Sequence, residues 1–110
     1  MTILMEYGLD SDKRMRYNVL TANGTNLSEM IGQRLHIKGF ALLENTDSNG
    51  EVTKRLKVVT DDGEIVGTGS KSFIEGFVQF VECLGAEEAT EFEVDQRASK
   101  AGRKYLVFKA

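Results

Sequence analysis

The residues of this chain that could catalyse a reaction or bind a metal are few and poorly spaced. His36 and Cys83 are the only histidine and the only cysteine among the 110 residues. A zinc site needs three or four ligands, so these two cannot form one, and neither has the local signature of a nucleophile–base pair. Residues 61–64 lack the alternating oxygen ligands of a calcium loop. We therefore predict no enzyme activity, no metal, no cofactor and no small-molecule substrate.

The glycine-rich stretch at residues 67–71 precedes a predicted helix and suggests a phosphate-binding loop. Its glycines and Lys71 do not have the spacing that such a loop requires. A weaker anion site stays open, because the free N–H groups and the dipole of a helix N-terminus favour negative charge.

Basic or aromatic residues occupy every second position from residue 34 to residue 40. Many proteins that bind single-stranded nucleic acid use a surface of basic and aromatic side chains. An extended strand places on one face Arg34, His36, Lys38 and Phe40. Cationic side chains on such a face follow the phosphates, and aromatic rings stack on the bases. The alternative is that Phe40 belongs to the core below a bend at Gly39, with Arg34 and Lys38 as solvated charges.

Further residues could extend this basic and aromatic surface onto other predicted strands. They are Tyr17, Arg55, Lys57, Arg103, Lys104 and Tyr105. Each of the two tyrosines could instead lie in the core with its hydroxyl group at the rim.

The charges of the chain are distributed unevenly, although the net charge is only −3. Residues 67–95 contain one lysine and seven acidic residues, whereas residues 97–110 contain five basic residues and no acid. Two further basic clusters lie at residues 13–16 and 54–57. This distribution predicts an acidic and a basic face, and the alternative is a scatter of solvated charges.

The spacing of apolar residues predicts the elements that would position these side chains. We predict a loose N-terminal arm or a loose edge segment at residues 1–12, and strands at residues 15–21, 34–44, 51–60, 91–97 and 103–109. Asp61-Asp62-Gly63 predicts a hairpin that prolongs the third strand into residues 64–66.

One amphipathic helix is predicted at residues 72–84. Its apolar residues recur at spacings of three and four, which is typical of a helix that packs on a core. Ser72 and Glu75 fit a capping box, and Gly85 fits a C-terminal cap. Cys83, near the helix end, is either a half-buried core residue or a free surface thiol.

This order of elements predicts a mainly β protein, namely a five-stranded OB-like barrel with one α-helix between strands three and four. A single domain would span residues 1–110. Gly39 predicts the bulge or bend by which a long strand curls around a small barrel. Opposite the basic face of that strand, simple alternation places Leu35, Ile37, Ala41 and Leu43.

The chain has no leader-like segment, no apolar run of about 20 residues and no pair of cysteines. These features predict a soluble protein of the cytoplasm, with no membrane segment.

Four segments of the chain share a residue pattern and an order with one known protein family. They are L-H-I-K-G-F-A at residues 35–41, D-D-G at 61–63, S-K-S-F-I-E-G-F-V-Q-F-V at 70–81 and S-K-A-G-R-K-Y-L-V-F at 99–108. In these segments the chain resembles the small single-stranded DNA-binding proteins of protein-primed Bacillus phages and their relatives in Gram-positive phages and mobile elements.

The resemblance implies an OB barrel that coats displaced single strands during DNA replication, without sequence preference. It also implies that basic and aromatic residues on the strands contact the DNA. In this chain they would be Tyr17, Arg34, Lys38, Phe40, Arg55, Lys57, Lys100, Arg103 and Tyr105.

Three hypotheses for function follow. The first is a nonspecific single-stranded DNA-binding protein of a phage or mobile element. The second is a non-enzymatic protein–protein interaction module whose acidic residues at 87–95 bind a basic partner. The third is a structural domain that self-associates through exposed strand edges. The same side-chain chemistry would serve DNA or RNA.

Overall fold

The computed structural model describes residues 1–110 and consists mainly of β-strands. The strands are β1 (Thr2–Tyr7), β2 (Thr25–Asn26), β3 (Arg34–Thr46), β4 (Val52–Thr60), β5 (Ile65–Thr68), β6 (Glu91–Ala98) and β7 (Lys104–Lys109). The helices are α1 (Lys13–Thr21), α2 (Lys71–Leu84) and a short 3₁₀ helix at Leu27–Met30. The mainly β prediction is confirmed, but seven strands and two α-helices replace the predicted five strands and one helix.

The strands form one curled sheet in the order β2-β5-β4-β3-β6-β7, and β1 pairs with β3. The long strand β3 organises this sheet. Its one edge pairs with β4, whereas its other edge is shared by β6 at residues 34–36 and by β1 at residues 40–44. Because β3 joins different partners along its two halves, the sheet curls into a half-barrel.

A bulge at Gly39 confirms the predicted bend and reverses the faces of β3. The pairing with β4 shifts by one residue between Ile37 and Gly39. Simple alternation therefore assigns every side chain after Gly39 to the wrong face of the strand. On the α2 side, Ile37 is therefore followed by Phe40 and Leu42, whereas Ala41 faces α1. The predicted face assignment beyond Gly39 is wrong for this reason.

The N-terminal residues form a paired strand at an edge of the sheet, so the predicted loose arm is wrong and the alternative of an edge segment is closer. β1 pairs with β3 along its length, and Leu9, just after it, is fully buried. The chain passes so close to β3 that a Cβ atom on Gly39 would lie 2.9 Å from the Tyr7 carbonyl oxygen and from the Leu9 side chain. This close approach requires glycine at position 39.

Residues 13–21 form α1, so the strand predicted at residues 15–21 is wrong. The carboxylate of Asp12 caps the helix, because it accepts hydrogen bonds from the N–H groups of Arg14 and Met15 at 3.1 and 3.0 Å. Val19 is completely buried between the helix and the sheet.

The predicted amphipathic helix is confirmed, with a different cap. α2 begins at Lys71, and the hydroxyl group of Ser70 accepts a hydrogen bond from the N–H group of Phe73. The predicted capping box of Ser72 and Glu75 is therefore wrong. Ser72 instead donates a hydrogen bond of 2.7 Å to the carbonyl oxygen of Leu106, which ties the start of α2 to β7.

α2 covers the main core of the sheet and ends at Gly85 as predicted, where φ is 88°. Its buried side chains are Phe73, Ile74, Phe77 and Val81. Phe77 packs edge to face against Phe40 and Phe92, with ring centroids 5.0 and 5.7 Å away. Cys83 is exposed, so it is a free surface thiol and not a core residue.

Candidate nucleic-acid interface

The hairpin of β6 and β7 carries a basic and aromatic cluster, here called the hairpin patch. It consists of Arg97, Lys100, Arg103, Lys104 and Tyr105, all of them exposed. Arg97 and Tyr105 are direct cross-strand partners, so their side chains lie next to each other on one face. Tyr105 exposes 41% of its surface, and no carboxylate forms an ion pair with the four cations. The sequence analysis named Lys100, Arg103, Lys104 and Tyr105 for the binding surface, but it did not include Arg97, whose position depends on the strand register.

The turn of this hairpin fixes the backbone that carries two of the cations. The N–H group of Ser99 donates to the carbonyl oxygen of Arg103 at 2.8 Å, and the N–H group of Arg103 donates to Oγ of Ser99 at 3.2 Å. Gly102 has a φ of 82°, which residues with a side chain rarely adopt. Lys100 and Arg103 therefore project from a closed turn.

Arg55 and Lys57 form a second basic group, here called the sheet pair, on the face of β4 that α1 partly covers. Lys57 is only 5% exposed, and its Nζ donates a hydrogen bond of 2.6 Å to the carbonyl oxygen of Ala22, just after α1. Arg55 is half-buried, and its guanidinium group lies against Gly67 of β5. Burial, and then the charge of Arg55, lower the pKa of Lys57. Lys57 is thus not the exposed residue that the sequence predicts, because α1 covers it.

The start of α2 lies between the sheet pair and the hairpin patch. A Cβ atom on Gly69, shortly before the helix, would lie 4.0 Å from Nη1 of Arg55. Ser72, in the first turn, is hydrogen-bonded to Leu106 of β7, and the neighbouring Lys71 is exposed. The segment that enters α2 therefore lies near Arg55 of the sheet pair and is also tied to β7 of the hairpin.

Acidic residues collect at the other end of α2. Glu82, Glu87 and Glu88 are exposed there. The 14 residues of α2 span about 20 Å at 1.5 Å per residue. The uneven distribution of charge in the sequence thus becomes a separation of charge along this helix.

Arg34 is exposed as predicted, but a carboxylate neutralises it. Its Nε donates a hydrogen bond to Glu91, and this bond lowers the pKa of Glu91. Nδ1 of His36 lies 4.0 Å from the same carboxylate, and Nζ of Lys109 lies 3.6 Å from Glu93. This part of the surface therefore carries less uncompensated positive charge than the hairpin patch.

Lys38 and Tyr17 are exposed but lie on other elements. Lys38 is next to the bulge of β3 and close to Asp62, whose pKa is lowered mainly by a hydrogen bond from the Thr60 hydroxyl group and to a small extent by Lys38. Tyr17 exposes 67% of its surface and projects from α1 rather than from the predicted strand. Neither residue belongs to the hairpin patch or the sheet pair.

Phe40, which the sequence predicts as a stacking residue, lies in the core. It is 2% exposed, and its ring packs edge-on against Phe77. The bulge at Gly39 turns this side chain inward, so it cannot stack on a base in the folded protein. The exposed ring nearby is Tyr7 of β1, whose centroid lies 6.2 Å from that of Phe40. Sequence reasoning misses Tyr7 because the pattern of residues 1–12 does not indicate a strand.

A groove with a volume of about 630 Å³ opens between α2 and the start of β4. Its floor is apolar, with Leu42, Ile74 and Val78, and its lining also includes Lys54 and Lys71. Both lysines are exposed. The exposed Glu75 also lines the groove, which lies on the α2 face of the sheet and not on the α1 face that carries the sheet pair.

No group of three or more histidine, cysteine, aspartate or glutamate residues is arranged to hold a metal ion. None of the helices is both long enough and apolar enough to cross a membrane. Comparisons with protein-family models, with curated proteins and with solved structures give no match. The candidate interface is therefore assigned from the positions, exposure and charges of its own residues.

Proposed function

We propose that this chain is a nonspecific single-stranded DNA-binding protein. The observation that carries the proposal is the hairpin patch, in which four exposed cations without acidic partners lie on the same hairpin as the exposed ring of Tyr105, with Arg97 directly opposite Tyr105. Such cations displace the counterions of phosphates, and an aromatic ring offers a stacking surface. Because every base has an aromatic face, binding of this kind tolerates any sequence.

The order and pairing of the strands support the proposal. Strands β3 to β7, with α2 between β5 and β6, follow the strand and helix order of an OB fold, to which β1, α1 and β2 are additions. OB folds bind oligonucleotides on their second and third strands and on the loops that join strands one to two and four to five. In this chain the second strand is β4, which carries the sheet pair. The loop that joins strands four and five is the β6–β7 turn, which carries the hairpin patch.

The resemblance of four sequence segments to phage single-stranded DNA-binding proteins supports the same function and suggests its setting. We propose that the chain coats displaced strands during replication of a phage or mobile element, in the cytoplasm of the host cell. From the residues that the resemblance implies, we retain as direct contacts Lys100, Arg103, Tyr105 and Arg55.

A second candidate function is supported by the acidic end of α2. Glu82, Glu87 and Glu88 are exposed there, together with Leu84, which is 43% exposed. An acidic rim around an exposed leucine suits a basic partner protein. The two candidate functions use opposite ends of α2, so substitutions can separate them.

The test of DNA binding is a titration of labelled oligo-dT at low and moderate salt. We expect a Kd in the micromolar range or below at low salt, and a steep loss of affinity as salt increases. Tyr105→Ala should weaken binding by about 1–3 kcal/mol, because one stacked base is lost. Tyr105→Phe keeps the ring and should bind as tightly as the wild type, and so should Glu87→Gln at the acidic end.

Absence of binding to oligo-dT at low salt would overturn the proposal and favour the acidic end of α2 as the functional surface. Equal affinities of Tyr105→Ala and the wild type would keep DNA binding but remove Tyr105 from the interface. A parallel titration with oligo-U compares DNA with RNA. Clearly tighter binding of oligo-U would change the ligand from DNA to RNA.

A further inference from the structure

The sheet pair holds two positive charges without a carboxylate partner. No ion pair of the protein includes Arg55 or Lys57. In addition, Nε of Arg55 is buried and has no hydrogen-bond partner, whereas most buried polar groups in proteins have one. The fold thus contains a charge cluster that the protein itself does not compensate.

This arrangement costs stability in the free protein. Lys57 is almost completely removed from water, and Arg55 lies close enough for its charge to lower the pKa of Lys57. Like charges repel each other more strongly in a low-dielectric environment than in water. A costly arrangement of charged groups is a candidate for function, and here the group that would relieve the cost is an anion.

The guanidinium group of Arg55 lies against the backbone of β5 at Gly67. A Cβ atom on Gly67 would lie 3.1 Å from Nη2 and 3.4 Å from Nε of Arg55. A side chain at position 67 would therefore push the guanidinium group away from β5. Arg55 as a whole is half-buried, so part of its side chain remains exposed to solvent.

The position of Lys57 is fixed from the other side. Its hydrogen bond to the carbonyl oxygen of Ala22 uses one of the three N–H groups of the ammonium ion. The charge is thus held next to Arg55 by the chain segment that follows α1. The ammonium group of Lys57 is therefore positioned before any ligand arrives, with the guanidinium group of Arg55 close by.

We propose that the sheet pair is a binding site for one phosphate group. Arg55 offers a planar fork that matches two phosphate oxygens, and Lys57 adds a compact charge. The source of the phosphate follows from the proposed function, on which this step rests: it is one phosphodiester of the bound strand. A free phosphate ion has the same chemistry, so the experiment must distinguish the two.

The test compares Arg55→Gln with the wild type and with Lys13→Gln, which removes the same charge from an exposed position at the start of α1. The melting temperature is measured with and without inorganic pyrophosphate. Without the anion, Arg55→Gln should melt at the wild-type temperature or higher, because the repulsion of Lys57 is removed. Pyrophosphate should raise the melting temperature of the wild type and of Lys13→Gln, but not that of Arg55→Gln.

A second arm measures the affinity for oligo-dT at several salt concentrations. Arg55→Gln should weaken binding about tenfold and should reduce the slope of log affinity against log salt by about 0.7, the value for one phosphate of a single strand. Lys13→Gln should keep the wild-type slope. Arg55→Lys keeps the charge without the fork, so it should restore the slope while the affinity stays reduced.

Three results would overturn the phosphate site: a wild-type slope in Arg55→Gln, stabilisation of this variant by pyrophosphate as in the wild type, or a clearly lower melting temperature without the anion. These results leave DNA binding by the wild type untouched. If the wild type does not bind oligo-dT but pyrophosphate stabilises it through Arg55, the proposed function fails. The phosphate site then stands, with a free phosphate group as its ligand.

Discussion

The two faces of the sheet are packed in very different ways. α2 lies on a core of 16 buried residues that includes four fully buried phenylalanines. α1 lies over a cluster of only five buried residues, which are Leu9, Val19, Ala41, Leu43 and Val59. Arg55 and Lys57 occupy the α1 face. The comparison suggests that the α2 face maintains the fold, whereas the α1 face is free to hold polar groups.

The difference arises from the side chains of the two helices. Burying a large apolar side chain contributes about 1.5–3 kcal/mol, and α2 buries four such side chains while α1 buries only Val19. α1 is held in addition by its cap at Asp12 and by the partly exposed ion pair of Arg16 with Glu6, at 2.9 Å. Interactions of these kinds contribute about 1 kcal/mol or less. We therefore expect that α1 can be loosened without unfolding the sheet.

The largest effect is expected from Phe77→Ala on the α2 face. Phe77 is 1% exposed and packs against the rings of Phe40 and Phe92. Its truncation leaves a cavity in the main core, so the free energy of unfolding should fall by about 3–5 kcal/mol. Denaturant unfolding followed by circular dichroism measures this loss. Phe80→Ala, at a half-buried position of the same helix, should cost clearly less, and equal losses would contradict the central role of the ring cluster.

The α2 face could be predicted from the sequence because local pattern and packing agree there. The apolar spacing of residues 72–84 fits a helix and no other element, and the turn at residues 61–63 fixes the strands before it. Most of the hairpin patch could be predicted for a similar reason. Lys100, Arg103 and Tyr105 come from one hairpin, so a correct hairpin is enough to bring them together.

The α1 face could not be predicted, because its signals are short and ambiguous. In residues 15–21 the apolar side chains alternate as in a strand, while Met15 and Val19 also have the spacing of a helix. The local signal that favours the helix is the capping residue Asp12. A single carboxylate before a short segment is a weaker signal than a long apolar stripe.

Two site residues were out of reach for a related reason. The burial of Lys57 depends on α1, so a prediction without this helix leaves Lys57 exposed. The burial of Phe40 depends on a shift of one residue at Gly39. A glycine in a strand suggests a bulge, but simple alternation cannot show on which side the later residues lie.

A smaller effect is expected from Asp12→Ala on the α1 face. The change removes the side-chain acceptor of two N–H groups at the start of α1, and it should cost about 1 kcal/mol. Hydrogen exchange should become faster in the amides of α1 and stay unchanged in α2. Asp10→Ala, at an exposed position two residues earlier, is the matched control. Equal acceleration in both helices would mean that the two faces open together.

The smallest effect at neutral pH is expected from Lys57→Met. Burial and the charge of Arg55 hold the pKa of Lys57 below its ordinary value of 10.5. In the pH window between the lowered pKa and 10.5, the unfolded chain therefore keeps a proton that the folded chain has released. The free energy of unfolding should rise with pH across this window. The penalty for burying the charge is fully present at lower pH and is relieved as the pH increases.

Lys57→Met has a similar length and no charge, so it should lack this contribution to the rise. Its stability at neutral pH should be no lower than that of the wild type, because a buried, uncompensated charge is replaced by an apolar side chain. Denaturant unfolding at a series of pH values up to 10.5 measures both effects. Lys54→Met, at an exposed position of the same strand, should keep the wild-type rise. An unchanged rise in Lys57→Met would mean that the α1 face does not bury a charge at a cost, and the contrast between the two faces would then be one of packing alone.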